Sequence, residues 1–150
     1  MQLLKNSAIS CEVISQNIGV HKSADGKELE AGKNYFTAAS VMYDAVYVCG
    51  GMQSSKTQKT HGDTLHFINE AFKHAKTIAA ANEGVDVLLS TSVKDIATAG
   101  TETQGNVITE LGVVTVRNTT DITDFTREFV KAISQHRHWA RKPQKDMVPA

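Results

Sequence analysis

The sequence predicts an α/β domain in which a mostly parallel β-sheet lies between layers of helices. Two kinds of segment alternate along its 150 residues: short apolar runs typical of strands, and longer stretches with apolar residues at helical spacing. The strand-like runs are residues 44–49, Thr77–Ala81 and Val113–Val116. They are apolar almost throughout rather than alternating, which is typical of strands buried on both faces of a parallel sheet.

Two amphipathic helices are predicted from apolar stripes. The first begins near Gly62 or Asp63, with Asp63 or Thr64 as its cap, and its stripe consists of Leu65, Ile68, Phe72 and Ala75. The second runs up to Pro143, which ends it, and its stripe consists of Ile122, Phe125, Phe129, Ile133 and Trp139. A short helix is expected over residues 85–89, whereas the polar stretch 52–61 is expected to be a loop.

The amino-terminal part is expected to contain the tail of a helix over residues 1–7 and a strand over residues 11–16. A tight turn is expected over residues 24–27, because Asp25-Gly26 supplies the positive φ that a hairpin needs. We expect a single domain over residues 1–150, with residues 143–150 as a carboxyl-terminal tail.

Charge and composition exclude several classes of partner. Lys and Arg together number 16, as do Asp and Glu, so the net charge is zero. A neutral chain lacks the field that attracts nucleic acid or an anionic membrane, and its apolar runs are too short for a membrane span. Only two cysteines are present, Cys11 and Cys49. We therefore expect a cytoplasmic protein with reduced thiols and neither nucleic-acid nor membrane partners.

The turn Asn82-Glu83-Gly84 has the order of a nucleophile elbow, in which a strand, a tight turn and a helix follow one another. The residue at its tip is Asn82, and an amide does not attack a carbonyl group. Ser, Cys and Thr are absent within two positions of it, and no His that would serve as a base occurs between His74 and His136. We therefore expect an empty elbow at Asn82, Glu83 and Gly84, with no catalytic residue.

The strand over residues 44–49 ends in two features with alternative readings. The backbone N–H groups of Gly50 and Gly51 suit an anion, as in an oxyanion hole, or the two glycines serve a sharp turn. Cys49 is either a reactive thiol at the ligand-binding edge of the sheet or a small apolar residue. The sequence favours the structural reading of both features.

No cofactor or metal site is predicted. His136 and His138 are two positions apart on the expected last helix, so they lie on different faces and do not share a metal. Glycine motifs for dinucleotides and for nucleoside triphosphates are absent. Near the carboxyl end, cations and an aromatic residue indicate a candidate protein interface rather than a nucleic-acid arm. This candidate interface consists of Arg137, Trp139, Arg141 and Pro143.

Several stretches carry a resemblance to a known family. Residues 44–51, 70–79 and 136–143, with the ending Val148-Pro149-Ala150, resemble the C-terminal domain of large-subunit haem catalases of the hydroperoxidase II type. The resemblance runs from about Leu3 to Ala150. This domain is part of the class I glutamine amidotransferase-like superfamily, whose active members carry a cysteine at the elbow where this sequence has Asn82.

The resemblance implies a flavodoxin-like three-layer α/β/α sandwich with a non-catalytic role. The parent enzyme would dismutate hydrogen peroxide at haem in a catalase core of the same polypeptide, within a homo-tetramer. The domain would stabilise that parent and act in a chaperone-like way, with no cofactor of its own. The alternatives are a free-standing deglycase- or glyoxalase-like thiol enzyme that uses Cys49, and a stand-alone chaperone or peptide-binding module.

The sequence departs from the family at its amino end, where the first parallel strand is missing. In the strand order 2-1-3-4-5 that strand would lie between residues 11–16 and residues 44–49, so its loss would leave both unpaired. Either the chain is a cut fragment of the family domain, or another segment fills the gap, for example by strand exchange in a homo-oligomer.

Overall fold

A computed structural model of the protein describes residues 2–23, 26–141, 144 and 146–149. The helices are α1 (Gln2–Asn6), α2 (Met52–Thr60), α3 (Gly62–Lys73), α4 (Gly84–Leu89) and α5 (Thr123–Ser134). The strands are β1 (Ile14–Ser15), β2 (Gly19–Lys22), β3 (Glu28–Ala31), β4 (Lys33–Asn34), β5 (Ala45–Val48), β6 (Thr77–Ala81), β7 (Ile108–Glu110) and β8 (Val113–Val116). Short 3-10 helices span Ser40–Met42 and Trp139–Arg141.

The main sheet has the strand order β5-β6-β8-β7. Strands β5, β6 and β8 are parallel, and β7 pairs antiparallel with β8. The three parallel strands are the ones that the apolar runs predict, so the expected mostly parallel sheet is confirmed.

Helices cover both faces of this sheet, as a three-layer sandwich requires. Because successive strand residues point to opposite faces, Ile78 and Ala80 face α3 and α4, whereas Ala79 and Ala81 face α5. The first layer is anchored by Ile68, Phe72, Val85 and Leu88, and the second by Phe125, Phe129 and Ala132.

The amino-terminal strands lie outside the main sheet. The expected strand over residues 11–16 is only β1, which pairs in parallel with β4, while β2 and β3 form an antiparallel hairpin. Ala24 and Asp25 of the expected turn lie outside the described residues. Among the described strands, β5 is therefore an edge strand of the main sheet.

Several expected element boundaries are wrong. Residues 52–60 form helix α2 rather than a loop, although Ser55 is its one buried residue among those described. Helix α3 is capped by His61, whose side chain accepts a hydrogen bond from the backbone N–H of Thr64. Helix α5 ends at Ser134, well before Pro143, because His136 takes a positive φ of 61° and turns the chain away. Trp139 is 71% exposed and does not belong to the apolar stripe of α5.

In the part of the chain that is described, no helix is long and apolar enough to cross a membrane.

Candidate functional site

The elbow lies at the carboxyl ends of the parallel strands, where α/β proteins of this architecture bind ligands. Asn82 follows β6 directly and takes a φ of 51°. Its backbone N–H donates to the carbonyl of Val116 at 2.8 Å, which continues the pairing of β6 with β8. At Gly84 a Cβ atom would collide with the carbonyl oxygen of Val48. Glycine there lets α4 begin directly against the end of β5.

The side chain of Asn82 joins the elbow to the loop after β8. Its Nδ2 donates to the carbonyl oxygen of Thr119 at 3.1 Å, and its Oδ1 accepts from the backbone N–H of Thr119 at 3.4 Å. Among residues other than glycine, asparagine is one of those that adopt the left-handed backbone region most readily. The tip of the elbow thus carries an amide whose two polar ends both hold a neighbouring loop.

Glu83 places a carboxylate beside the Gly50-Gly51 turn. Its Oε2 accepts a hydrogen bond from the backbone N–H of Gly51 at 2.9 Å, and this bond is the main reason that the pKa of Glu83 lies below its ordinary value. Ser55 of α2 donates to the backbone carbonyl of Glu83 at 2.8 Å. A Cβ atom at Gly50 would lie 2.8 Å from the carbonyl oxygen of Ala81, so the turn approaches β6 too closely for a side chain. The N–H of Gly51 therefore faces an anion that the domain itself provides.

A polar cavity of about 420 Å³ opens beside the elbow. It is lined by Asn82, Glu83, Arg117, Asn118, Thr119 and Thr120. The guanidinium of Arg117 is already engaged, since Nε donates to the carbonyl of Ala99 at 2.8 Å and Nη2 pairs with Asp86 at 2.6 Å. The lining contains no His, Cys, Met or Tyr, the side chains that ligate haem iron, so this cavity does not fit a haem group.

Cys49 follows β5, and the residue is exposed. Although the residue as a whole is exposed, its thiol is desolvated by its surroundings, and this raises the pKa of the thiol. A nucleophilic cysteine is activated by the opposite shift, a lowered pKa. Cys11 is half-buried, and its sulfur lies 3.9 Å from the carbonyl oxygen of Ile9. The described residues contain no cluster of three or more His, Cys, Asp or Glu that would hold a metal ion.

The expected interface near the carboxyl end is only partly available to a partner. Arg141 is fully buried: Nε donates to the carbonyl of Leu111 at 3.0 Å, and Nη1 donates to those of Lys76 at 2.8 Å and Phe72 at 3.3 Å. Its guanidinium also lies 4.4 Å from the centre of the Phe72 ring, and desolvation lowers its pKa to about 10. The expectation that Arg141 contacts a partner is therefore wrong, because its donors hold carbonyl groups of its own domain.

The other members of the expected interface differ in exposure. Trp139 is exposed and Arg137 is half-buried, while Pro143 lies outside the described residues.

His138 is buried, and its Nε2 lies 2.9 Å from the hydroxyl of Thr77. Its ring fills the space above Gly112, where a Cβ atom would collide with it. The sequence predicts that His136 and His138 lie on the last helix, and this prediction is wrong because α5 ends before both residues.

The strand order and the layers of helices define a flavodoxin-like α/β/α sandwich with an asparagine at the tip of its elbow. It is similar to a ThiJ/PfpI domain protein from Brachyspira murdochii, with a TM-score of 0.79, 16% identity, and coverage of 89% of this chain and 85% of that one. It is also similar to DJ-1 of Schizosaccharomyces pombe, with a TM-score of 0.74, 16% identity, and coverage of 95% and 87%. These likenesses confirm the flavodoxin-like fold that the sequence predicts.

Sequence comparison gives the family. Residues 1–143 match the C-terminal domain found in long catalases, and the chain belongs to this family. It is 40% identical over 142 residues to Catalase-2 of Bacillus subtilis, covering 95% of this chain and 18% of that protein. It is 37% identical over 134 residues to Catalase HPII of Mycobacterium avium, covering 88% and 18%. The family resemblance drawn from the sequence is confirmed, and the chain spans about a fifth of the length of these relatives.

Proposed function

We propose that this domain is a non-catalytic accessory part of a long haem catalase. In this proposal, hydrogen peroxide is dismutated at haem in a catalase core of the same polypeptide. The domain binds no cofactor and stabilises the core and its homo-tetramer in the cytoplasm. One observation carries the proposal: the tip of the elbow is Asn82, whose side-chain amide is engaged at both ends by Thr119.

The surroundings of the elbow support a structural role. An acyl-transfer enzyme needs a nucleophile, a base and free N–H donors for the oxyanion. At the corresponding positions this domain has an amide, no histidine in the cavity lining, and a Gly51 N–H that already binds the Glu83 carboxylate. These contacts join β5, β6 and the loop after β8, so they stabilise the edge of the sheet where related enzymes would react.

The proposal is tested by removing the domain from the long polypeptide. Peroxide turnover per haem, thermal inactivation and the oligomeric state by sedimentation are compared between the full and the shortened protein. We expect turnover per haem to remain within about twofold, since no reacting group is removed, whereas inactivation is faster and the tetramer dissociates more readily. A loss of turnover by orders of magnitude in an intact tetramer would show that the domain takes part in the reaction. Unchanged inactivation and assembly would contradict the stabilising role.

The alternative activity, a deglycase- or glyoxalase-like reaction at Cys49, has its own test. Removal of a true nucleophile lowers turnover by several orders of magnitude. We expect Cys49→Ser and the control Cys11→Ser to leave any trace of methylglyoxal conversion unchanged, because the pKa of Cys49 is raised rather than lowered. A large loss confined to Cys49→Ser would establish the thiol enzyme.

A chaperone-like role is favoured by large apolar side chains on the surface. Phe36 and Met52 are each 82% exposed and Met42 is 73% exposed. If these side chains hold unfolding clients, the domain delays the aggregation of a heated client protein, and Phe36→Ser weakens that delay more than a polar control such as Gln53→Ser. Equal effects of the two variants would contradict this role.

A further inference from the structure

Two cations near the amino end of β6 lack an anionic partner. Lys76 directly precedes β6 and is only 3% exposed, yet its ammonium group has no hydrogen bond or ion pair with any described residue. Arg137 is half-buried, and its Nη1 atom is shielded from water with no hydrogen-bond partner in the part of the chain that is described. A shielded donor such as Arg137 Nη1 is normally paired, so its lack of a partner calls for a ligand, water or an ion.

Contacts between the segment after α5 and residues 75–77 place the two cations in the same part of the fold. The N–H of His138 donates to the carbonyl of Ala75 at 2.9 Å, and the His138 ring reaches the hydroxyl of Thr77 at 2.9 Å. Arg141 Nη1 donates to the carbonyl of Lys76 at 2.8 Å. The segment after α5 therefore runs alongside residues 75–77, and Arg137 lies close enough to Lys76 for its charge to lower the pKa of Lys76.

The charges around this pair do not neutralise it. The pKa of Lys76 is lowered, first by desolvation and then by the positive charge of Arg137. Asp44 attracts Lys76, but it forms no ion pair with it within 4.0 Å. Arg141 adds a third cation whose donors are used by carbonyl groups. The repulsion within this group would be relieved by one bound anion.

We propose that Lys76 and Arg137 together bind a carboxylate that belongs to an acidic side chain of a protein partner. Two cationic donors side by side match the two oxygens of a carboxylate, and charge-assisted bonds of this type are stronger than neutral ones. The protein origin of the carboxylate follows from Trp139, which is two positions after Arg137 and 71% exposed. Trp and Arg are typical of the residues that dominate protein–protein binding, whereas a free anion would not use the indole. The inference does not depend on the catalase role proposed above.

The test uses the 150-residue chain labelled with ¹⁵N and two probes at constant ionic strength. Acetate represents a free carboxylate, and a capped Leu-Glu-Leu tripeptide represents a side-chain carboxylate with apolar neighbours. Binding is followed at the Arg137 Nε–H and at the indole N–H of Trp139, the only Trp in the sequence. We expect the tripeptide to bind at least tenfold more tightly than acetate and to shift both signals saturably.

Variants assign the binding to the two cations. Lys76→Gln and Arg137→Gln are each expected to weaken tripeptide binding at least tenfold, and Lys76→Arg, which keeps the charge, to retain it. The matched control is Lys131→Gln, because Lys131 is an exposed lysine of α5 that is paired with Glu128. Trp139→Ala should weaken binding of the tripeptide but not of acetate. Far-UV circular dichroism checks that each variant is folded, and Arg137→Gln tests the site separately if Lys76→Gln does not fold.

Three results would overturn the proposal. The first is the absence of a saturable shift with either probe, and the second is unchanged binding by folded Lys76→Gln and Arg137→Gln. The third is acetate binding as tightly as the tripeptide with no effect of Trp139→Ala, which would assign the site to a free carboxylate instead of a protein partner.

Discussion

At the scale of single residues, Asn82 meets two demands at once. Its backbone has a φ of 51°, and its side-chain amide both donates to and accepts from Thr119. Glycine would satisfy the backbone but not the loop after β8. A serine or cysteine would supply a nucleophile but could not bridge the Thr119 N–H and carbonyl in the same way. The asparagine at the tip of the elbow is thus also the residue that joins the elbow to the loop after β8.

We expect Asn82→Ala to destabilise the domain by about 2–5 kcal/mol. The substitution removes two hydrogen bonds, each of which contributes about 0.5–1.5 kcal/mol. It also leaves alanine, which has a Cβ atom and no side-chain hydrogen bond, in the left-handed backbone region, and this strain costs about 1–2 kcal/mol. Asn82→Gly should cost about 1 kcal/mol less, because glycine removes the backbone strain. Urea unfolding measures both. The control is Asn118→Ala, at another positive φ but with one exposed hydrogen bond to Thr101. Equal midpoints for wild type and Asn82→Ala would contradict the role of the amide.

Glu83 makes the stability of the elbow depend on pH. Its pKa in the folded state lies below the ordinary value of 4.5, mainly because the Gly51 N–H stabilises the carboxylate. This contribution is fully present above about pH 4.5 and is lost as the pH falls through the folded-state pKa. We expect Glu83→Gln to show a shallower fall in melting temperature between pH 5 and 3 than wild type. Glu102→Gln, in an exposed loop, serves as the control and should retain the wild-type slope. Identical slopes for Glu83→Gln and wild type would contradict the contact.

The limits of sequence reasoning are visible at these same residues. The strand, turn and helix around Asn82 can be predicted because they depend on residue types in one short segment. The contact between Glu83 and Gly51 joins residues 32 positions apart, and the burial of Arg141 depends on carbonyls of Phe72 and Leu111. Nothing in local spacing indicates which backbone groups will face a side chain. For this reason the sequence predicts Arg141 at a surface, although the residue lies inside the domain.

At the scale of elements, α2 shows why a helix without an apolar stripe is missed. Periodicity predicts helices that bury a face, and α2 buries only Ser55 among its described residues. It is held by contacts with α3 and α4 and by the hydrogen bond from Ser55 to the Glu83 carbonyl. Helices α3 and α5, by contrast, are predictable because Phe72, Phe125 and Phe129 anchor regular stripes.

We expect α2 to be the least protected of helices α2 to α5 in amide hydrogen exchange, since little apolar surface opposes its local opening. Ser55→Ala removes about 1 kcal/mol of hydrogen bonding and should raise exchange over residues 52–60 roughly fivefold without changing α3. Ser54→Ala, at the exposed neighbouring position, is the control. Exchange in α2 as slow as in α3, or equal effects of the two variants, would show that other contacts hold this helix.

At the scale of the whole molecule, β5 presents a free edge of the main sheet among the described strands. Strand β6 pairs on both sides, whereas β5 pairs with β6 alone among the described strands. Tyr47 of β5 packs on Phe125 and Phe129 yet remains 37% exposed. Backbone groups at such an edge need water or another strand, and a buried orphan costs about 1–3 kcal/mol out of a total stability of about 5–15 kcal/mol.

We expect the 150-residue chain to fill this position with a strand from a second copy, because an open, partly apolar edge favours pairing. Sedimentation velocity should show a monomer that associates as concentration rises. In the monomer, amide exchange over Ala45–Val48 should be faster than over Thr77–Ala81, and association should slow exchange at β5 while leaving β6 unchanged.

A longer chain that carries the residues preceding this domain in a long catalase provides the comparison, since a strand supplied in the same polypeptide should abolish association and raise the melting temperature. If the short chain stays monomeric, melts as high as the long one and protects β5 as well as β6, then no strand is missing and the alignment with the first strand of the family is wrong.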